Sequence, residues 1–372
     1  MSAPATTPDL LYSQEEEDLR AAVRDLLSDR CEQSAVLART ESGEPHDRTL
    51  WKSLAEDMGL AGLLVPEERG GQGAGHREAA VVLEELGRAV APVPYLTSAV
   101  VATEALLACS GEEADRLLAA LASGRTVGVL AVALTTAPGD TPRAARVGNG
   151  ALHGAFTGVA DARAADVLLV PGEDGALYAV DTAADGVTVT PQVSLDLTRP
   201  VDTVTLAGAA ASRVGDDASG AVARALRAGA GLLASEQLGV AERVLTGTVG
   251  YLKERRQFNR QVGGFQALKH RLAAIWLEVV NLRATARNAA DALAAGSADA
   301  EVAVAVAQVY GSRVAVHAAE EAVQLHGGIG MTWEHPTHLY LKRAKADSLA
   351  YGAAGRHKER LAALVDLPGP SA

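Results

Sequence analysis

The segment Gln324–Tyr351 reads QLHGGIGMTWEHPTHLYLKRAKADSLAY and joins three local signals. A pair of glycines, Gly327 and Gly328, follows a helical stretch, which is typical of a helix end followed by a turn. The sequence TWEHP then predicts the start of a new helix, because proline is favoured in the first helical turn. A basic amphipathic pattern continues beyond Pro336. The segment therefore predicts a junction between two helices in a C-terminal helical unit.

Helical periodicity extends on both sides of this junction. It predicts four long helices, at about 220–254, 266–295, 299–325 and 336–364, with breaks at Phe258–Gly264, Gly296–Ser297 and Gly327–Gly330. Four long helices joined by short loops favour an antiparallel four-helix bundle.

The chain upstream of the bundle has two other patterns. Short Val and Leu runs alternate with Gly, Asp and Pro turns between Thr126 and about Leu206, which predicts an antiparallel β unit. Before Gly124 the pattern is helical, beginning with a capping box at Ser13 and Glu16. In the helical stretch EAAVVLEELGRAV, Gly87 is predicted to let another helix approach closely. The prediction is an α+β chain with a helical domain at 1–123, a β domain at 124–215 and a four-helix bundle at 216–372. Residues 1–9 are predicted to form a disordered tail.

Composition limits the function. A net charge of −12 over 372 residues argues against a nucleic-acid partner, since little positive charge would displace counterions from phosphates. No run of eighteen uninterrupted apolar residues and no secretory signal is visible, so we expect no membrane association. Cys31 and Cys109 lack metal-ligand spacing, so we expect no metal site and a cytoplasmic location with reduced thiols.

Positive charge is concentrated in one loop, Glu254–Gln266. Arg255, Arg256 and Arg260 lie within six residues of an otherwise acidic chain. Guanidinium groups pair well with phosphate oxygens, so the loop suits an anion. The alternative is an ordinary solvated basic surface at a helix C-terminus, where arginine complements the helix dipole.

Four stretches of the chain resemble the acyl-CoA dehydrogenase family. They are GLLVPEERGGQG with VVLEELGRA, then VADARAADVLLV, YLKERRQFNRQVGGFQALKHRLA and QLHGGIGMTWEHP. The order of helical, β and four-helix units is also the order of that fold. The resemblance implies FAD-dependent α,β-dehydrogenation of an acyl-CoA or of a carrier-bound acyl thioester.

The resemblance also implies which residues contact the flavin. The family uses an Arg-x-Gln-Phe motif to grip the dinucleotide half of an FAD held mainly by the neighbouring subunit, and Arg255, Gln257 and Phe258 match it. Gln324 and Gly328 match the positions that contact the adenosine end of the same cofactor. Asn259 replaces the usual glycine after the phenylalanine, and asparagine also tolerates a positive φ.

The catalytic base of the family is missing from its usual positions. The positions that carry the base glutamate in family members correspond here to Tyr351 and Gly229. Glu236, two helical turns beyond Gly229, is the remaining candidate base, about 10 Å further along the helix. The alternative for Glu236 is a polar residue that makes an interhelical hydrogen bond.

The β segments that hold the flavin ring in the family are also altered. The equivalent stretches are ALTTAP at 133–138 and FTGVADARAAD at 156–166, and they contain no tryptophan to cover the ring. Thr135 and Thr136 still offer hydroxyl groups.

Three hypotheses follow. The chain is a subunit that completes the flavin site of a catalytic acyl-CoA dehydrogenase-like partner, in a dimer or tetramer. Alternatively, it is a self-sufficient homo-oligomeric flavoenzyme with a non-standard base such as Glu236. The third hypothesis is a structural or regulatory homologue without flavin.

Overall fold

The capping box predicted at Ser13 begins the first helix, α1 (Gln14–Arg30), in the computed structural model, which describes residues 10–148 and 150–369. The Ser13 hydroxyl accepts a hydrogen bond from the Glu16 amide at 3.2 Å, and the Glu16 carboxylate accepts one from the Ser13 amide at 2.6 Å. The expected tail at residues 1–9 lies outside the described residues.

The N-terminal unit is helical, as predicted. Its further helices are α2 (Gln33–Thr40), α3 (Arg48–Lys52), α4 (His76–Ala89), α5 (Thr103–Leu107) and α6 (Glu112–Ala122), with π-helical turns at Ser53–Asp57 and Tyr95–Ala102 and 3-10 turns at Leu60–Gly62 and Glu67–Arg69. The sequence analysis missed α2, because this short polar segment reads as a connection.

The middle unit contains two four-stranded sheets, in the orders β1-β4-β5-β8 and β2-β3-β7-β6. The strands are β1 (Gly128–Leu130), β2 (Arg146–Gly148), β3 (Ala151–Ala160), β4 (Val167–Pro171), β5 (Leu177–Asp181), β6 (Val187–Pro191), β7 (Val201–Ala210) and β8 (Ser212–Gly215). The pairing is antiparallel as predicted, except that β1 and β4 are parallel. A long crossover that includes β2 and β3 joins these two strands, and such a crossover permits parallel pairing.

The C-terminal unit is a helical bundle with one more break than the sequence predicted. Its helices are α7 (Ala218–Glu254), α8 (Gln266–Ala294), α9 (Ala300–His326), α10 (Thr337–Asp347) and α11 (Ala354–Leu364), and a small hairpin, β9 (Arg256–Gln257) and β10 (Arg260–Gln261), joins α7 to α8. The single helix predicted at 336–364 was wrong, because Tyr351 and Gly352 have φ angles of +52° and +100°. Those angles end α10 before α11 begins.

Helix α9 forms the centre of the bundle. The segment Ala300–Met331 is long and apolar enough to cross a membrane by length and composition alone, but 61% of its most apolar window is buried within the protein. A core helix of a bundle has the same composition, because it is hydrophobic on most sides.

Helices α4 and α7 cross at two glycines with almost no space between their backbones. A Cβ atom at Gly239 would lie 1.9 Å from the Glu84 carbonyl oxygen, and one at Gly87 would lie 2.2 Å from the Glu236 carbonyl oxygen. The close helix approach predicted at Gly87 is therefore confirmed. The contact fixes α7 against the N-terminal unit.

A cluster of buried charges joins the β unit to the bundle. In this buried ion cluster the Arg343 guanidinium lies 2.6 Å from Asp196 and 2.6 Å from Glu236. Arg199 lies 2.5 Å from Glu236 and 2.9 Å from Asp347. None of these five side chains is more than 6% exposed. Because Asp196 and Arg199 lie between β6 and β7, the cluster connects that loop to α7 and α10.

The protonation of the buried ion cluster follows from its charges. Burial opposes ionisation of Glu236, but the Arg199 and Arg343 charges outweigh it and hold the pKa of the Glu236 carboxyl below its ordinary value. Burial, and then the charge of Glu236, raise the pKa of the Asp347 carboxyl well above its ordinary value. The raised pKa favours the neutral form of Asp347, which leaves two guanidiniums facing two carboxylates, Glu236 and Asp196.

We expect Gly239→Ala to weaken the fold and Gly247→Ala to spare it. The added methyl group at 239 meets the α4 backbone, so the free energy of unfolding should fall by about 1–3 kcal/mol. Position 247 lies on the same helix with nothing within 4 Å, so alanine there should be neutral or add up to about 1 kcal/mol through helix propensity. Urea unfolding measures both variants, and equal effects would contradict the close approach.

We expect Asp347→Asn to change how stability depends on pH. A carboxyl whose pKa is raised in the folded state contributes stability that is full below its unfolded pKa, about 3.9, and is lost as pH rises through the folded value. As pH rises from about 3.9 to the folded pKa of Asp347, the free energy of unfolding of the wild type should therefore fall relative to that of the variant. The fall should be up to about 1.4 kcal/mol per pH unit.

Asp216→Asn is the control for this comparison, because the Asp216 side chain is 87% exposed. Unfolding free energies measured from pH 4 to pH 8 test the expectation. Parallel pH profiles for wild type and Asp347→Asn would show that Asp347 is ionised in the folded protein.

Candidate functional site

Tyr351 and Gly229, the two positions predicted to correspond to the family's base, lie in contact with each other. Tyr351 is 3% exposed, and its ring packs on the backbone of Gly229 in α7. A Cβ atom at Gly229 would lie 3.1 Å from Tyr351 Cζ and 2.8 Å from a methyl carbon of Val101. The absence of a side chain at Gly229 therefore makes room for the tyrosine ring, which fills the space between α7 and the Tyr95–Ala102 turn.

The loop that carries Tyr351 is attached directly to the β unit. The Tyr351 amide donates a hydrogen bond of 2.7 Å to the Leu134 carbonyl oxygen, and a Cβ atom at Gly352 would lie 2.7 Å from that of Ala137. His357 Nε2 donates a hydrogen bond of 2.9 Å to the Tyr351 carbonyl oxygen. These contacts hold Tyr351 in a left-handed conformation, with φ at +52°, that a residue with a side chain rarely adopts.

Tyr351 does not replace the missing carboxylate as a base. Burial raises the pKa of its phenol above the ordinary value of 10, although Arg199 opposes this shift. The phenol is therefore protonated at neutral pH. A proton acceptor for an acyl α carbon needs a pKa near the working pH, and Tyr351 does not provide one.

Glu236, the candidate base, lies in the buried ion cluster. One carboxylate oxygen accepts a hydrogen bond from Arg199 at 2.5 Å and the other accepts one from Arg343 at 2.6 Å. The residue is 1% exposed. These contacts agree with the alternative interpretation of Glu236, in which it is a polar residue hydrogen-bonded to other elements of the fold. The catalytic role of Glu236 stays a prediction that no contact in this site supports.

The two altered β segments line one groove. Thr135 and Thr136 from the first segment and Phe156 and Thr157 from the second enclose a space of about 440 Å³, together with Arg143. The structure thus brings together the hydroxyl groups expected from ALTTAP and adds Thr157, which the sequence analysis did not single out. The groove lies beside Leu134, whose carbonyl oxygen accepts the hydrogen bond from Tyr351.

The Arg-x-Gln-Phe motif lies on the exposed hairpin after α7. Phe258 and Asn259 form its two-residue turn with φ angles of +50° and +60°, so the positive φ expected at Asn259 is confirmed. Such a pair of angles is typical of a type I′ turn. The Phe258 ring is 85% exposed, and Arg255 and Gln257 are also exposed. No carboxylate of the described residues lies within the ion-pair distance of 4.0 Å from Arg255.

Gln324 and Gly328 lie at the exposed end of α9, which contacts the last turn of α7. His326, between them, is buried and stacks on Tyr251 with ring centroids 4.5 Å apart. The Tyr251 hydroxyl also donates a hydrogen bond of 3.4 Å to the His326 carbonyl oxygen. Because Tyr251 is one helical turn before Arg255, this contact brings the two predicted cofactor motifs together.

The two halves of the expected flavin site differ in how well they fit FAD. The exposed hairpin and the α9 end offer a free guanidinium, an amide side chain and a glycine without a Cβ, which suit a dinucleotide approaching from outside the chain. On the inner side, Tyr351 and Gly352 pack directly on Leu134 and Ala137, so no ring system passes between these four residues. The outer half therefore presents exposed polar groups to a flavin, whereas the inner half is closed where Tyr351 and Gly352 meet the β unit and open at the groove between the two β segments.

The sequence analysis missed the residues that hold the Tyr351 loop. A spacing of four residues separates Arg343 from Asp347, and the same spacing separates Asp347 from Tyr351. This spacing alone places Arg343 and Asp347 on one helical face. That face was identifiable from the sequence. No local signal pointed to Arg199 as their partner, because it comes from a loop of the β unit.

Comparisons with known proteins agree with this geometry. Residues 13–125 match the family model "Acyl-CoA dehydrogenase, N-terminal domain", and residues 219–365 match "Acyl-CoA dehydrogenase, C-terminal domain". The chain is 35% identical over 353 residues to the acyl-CoA dehydrogenase IpdE2 of Mycolicibacterium smegmatis, covering 95% of this chain and 99% of that protein.

Solved structures agree with the sequence comparisons. A chain of the ChsE4-ChsE5 complex from Mycobacterium tuberculosis has a TM-score of 0.86 and 30% identity, covering 97% of this chain and 100% of that one. A chain of the Tcur3481-Tcur3483 steroid ACAD (G363A variant) has a TM-score of 0.84 and 30% identity, covering 95% and 98%. The expected α+β architecture is confirmed, as is FAD as the cofactor of the family. The chain belongs to the acyl-CoA dehydrogenase family of FAD-dependent oxidoreductases that act on CH–CH bonds.

Proposed function

We propose that this chain is the subunit that completes the flavin site of a catalytic acyl-CoA dehydrogenase-like partner. The observation that carries the proposal is the packing of Tyr351 on Gly229, which fills the chain's own base position. In contrast, Arg255, Gln257 and Phe258 are exposed at the hairpin, and none of the residues 10–148 and 150–369 buries them.

In the proposed assembly, this chain binds and orients the cofactor and does not move the substrate proton. Arg255 would pair with the pyrophosphate through charge-assisted hydrogen bonds, and Phe258 would pack on the adenosine end. Gln324 and Gly328 would complete the same end. Acceptance of the hydride from the β carbon of the acyl thioester is the chemistry that FAD would supply when bound. The base that removes the α proton comes from the partner, since neither Gly229 nor Tyr351 supplies a carboxylate.

Two similar structures support a heteromeric assembly. Both are named as pairs of proteins, ChsE4 with ChsE5 and Tcur3481 with Tcur3483. The second is named as a steroid ACAD. We therefore propose a second acyl-CoA dehydrogenase-like subunit as the partner, and a thioester with a bulky polycyclic acyl group as the first substrate to test.

A self-sufficient enzyme is the alternative, with Glu236 as its base. The two arginine contacts of Glu236 argue against it, because a carboxylate held by two guanidiniums has a lowered pKa and little proton affinity. A homologue without flavin is the third candidate. It predicts that even the assembled complex contains no flavin.

Purification of the chain alone and with a candidate partner separates these functions. We expect the chain alone to show no visible flavin absorption after incubation with FAD, and the complex to carry one flavin per partner pair. Visible absorbance and acyl-CoA oxidation measure the two properties. A lone chain that binds stoichiometric flavin and oxidises an acyl-CoA would contradict the proposal. A complex of the chain with its partner that stays colourless after incubation with FAD would favour the third candidate.

Arg255→Gln should weaken FAD binding in the complex by about tenfold to a hundredfold, because a charged hydrogen bond contributes about 1.5–3 kcal/mol. Arg271→Gln is a matched control, since Arg271 is an exposed arginine nearby that is paired with Glu321 at 2.7 Å. Flavin fluorescence during titration gives the two affinities. Equal affinity in both variants would remove Arg255 from the cofactor site.

A further inference from the structure

Helix α8 carries apolar side chains on the side that faces away from the bundle. The segment 272–277, LAAIWL, contains no charged residue, and Ile275 is its one buried member. Trp276 is 59% exposed and Leu277 is 56% exposed. A surface helix normally turns its polar residues outwards, and α8 shows the reverse arrangement over these turns.

The apolar surface continues along the helix as a stripe. Ala273, Leu277, Val280 and Ala284 follow one another by three or four residues, and Trp276 lies beside them. These five residues, the α8 stripe, are therefore neighbours on one face over about 17 Å of helix. Most of the buried residues of α8 lie on the opposite face.

The charged residues that flank the α8 stripe are paired within the chain. Glu278 lies 2.9 Å from Arg313 and 2.7 Å from His317. Arg283 pairs with Glu242. A helix that lies on a membrane surrounds its apolar face with lysine and arginine that are free to meet lipid headgroups. The flanking pairs therefore favour a protein surface as the occupant of the stripe.

The α8 stripe is continuous with the hairpin that carries the predicted cofactor residues. Phe265, the residue before α8, makes an edge-on contact with Phe258, with ring centroids 6.1 Å apart. The Arg260 guanidinium lies 3.8 Å from the centre of the Phe265 ring. Ala273 is eight residues beyond Phe265, which is about two helical turns. A protein that reaches Phe258 is thus about two turns from the start of the stripe.

The end of α9 carries exposed apolar side chains as well. Ile329 and Met331, which follow Gly328, are both exposed. Arg271 of α8 lies 2.7 Å from Glu321 of α9, which joins this end of α9 to the first turns of α8. A subunit that brings a cofactor to the hairpin and to the end of α9 would therefore meet apolar side chains at both.

The placement of the large aromatic side chains also favours a protein interface. The chain contains three tryptophans and three phenylalanines. Three of these six, Phe258, Trp276 and Trp333, are exposed. Aromatic side chains bury a large area and dominate the binding energy of protein interfaces. Exposure of half of them in an aromatic-poor chain indicates that another protein covers them.

We propose that the α8 stripe is the docking surface for the catalytic acyl-CoA dehydrogenase-like partner. The identity of the partner rests on the proposed function, whereas the surface rests on the exposure of the stripe. A standard interface buries about 800 Å² on each subunit. The stripe covers about 17 Å by about 10 Å, so it forms the apolar centre, and the hairpin and the end of α9 lie towards the rim.

Coexpression of the full chain with an acyl-CoA dehydrogenase-like chain that carries the base glutamate tests the docking surface. Trp276→Glu places a charge in the middle of the α8 stripe, so the affinity between the two subunits should fall by about a hundredfold or more. Ala273→Glu should also weaken the complex, and its added side chain points into solvent in the lone chain. Analytical ultracentrifugation measures the affinities.

Two further variants control this experiment. Val193→Glu makes the same kind of change at an exposed apolar residue of the β6–β7 loop, and its affinity for the partner should equal that of the wild type. Trp276→Phe keeps a large apolar ring and should retain affinity within about tenfold. Thermal unfolding of the lone chains should be the same in every variant, because each position is exposed.

The outcomes separate the docking surface from the proposed function. Wild-type affinity in Trp276→Glu and in Ala273→Glu would overturn the docking surface and leave the proposed function standing. A complex that both variants disrupt, but that stays colourless after incubation with FAD, would support the docking surface and contradict the proposed function. Self-association of the lone chain that both variants abolish would assign the α8 stripe to a second copy of this chain and overturn the proposal.

Discussion

The buried ion cluster is the interaction on which the arrangement of this protein depends. Arg199 and Arg343 bring together a β-unit loop, α7 and α10, three elements that are far apart in the sequence. Removing one member of such a cluster leaves an uncompensated buried charge, which costs about 3–5 kcal/mol. The cluster therefore specifies how the β unit sits on the bundle, because a shifted β unit would separate these charges.

Tyr351 is positioned as a consequence of the same cluster. Arg343 and Asp347 fix the end of α10, and Tyr351 follows one turn later, where the chain leaves the helix. Its amide reaches Leu134 in the β unit, so the loop is bonded on both sides. The tyrosine ring then lies on Gly229, where an ordinary side chain would collide with it.

This arrangement divides the chain into an inner half that is closed and an outer half that is open. Packing closes the inner half, since Tyr351 and Gly352 contact α7 and the β unit directly. The outer half consists of Arg255, Gln257 and Phe258 with the end of α9, joined through the stack of Tyr251 on His326. This division agrees with the proposed role, in which the chain helps to hold a cofactor that reaches it from a neighbouring molecule.

The sequence by itself determined the local features of the protein. The capping box at Ser13, the glycine contact at Gly87 and the positive φ at Asn259 were predictable, because each depends on a residue and its immediate neighbours. Motifs of the same local kind identified the family and predicted which exposed residues contact the cofactor. The loss of the carboxylate at Tyr351 and Gly229 was also visible.

Only the tertiary structure decided the contacts of Glu236 and the end of α10. Helical periodicity continues through Tyr351, and the break arises from a hydrogen bond to Leu134, more than two hundred residues earlier in the chain. Glu236 was a candidate base because its partners could not be known. Arg199 and Arg343 come from other elements, and long-range charge pairing of this kind leaves no periodic signal in a sequence.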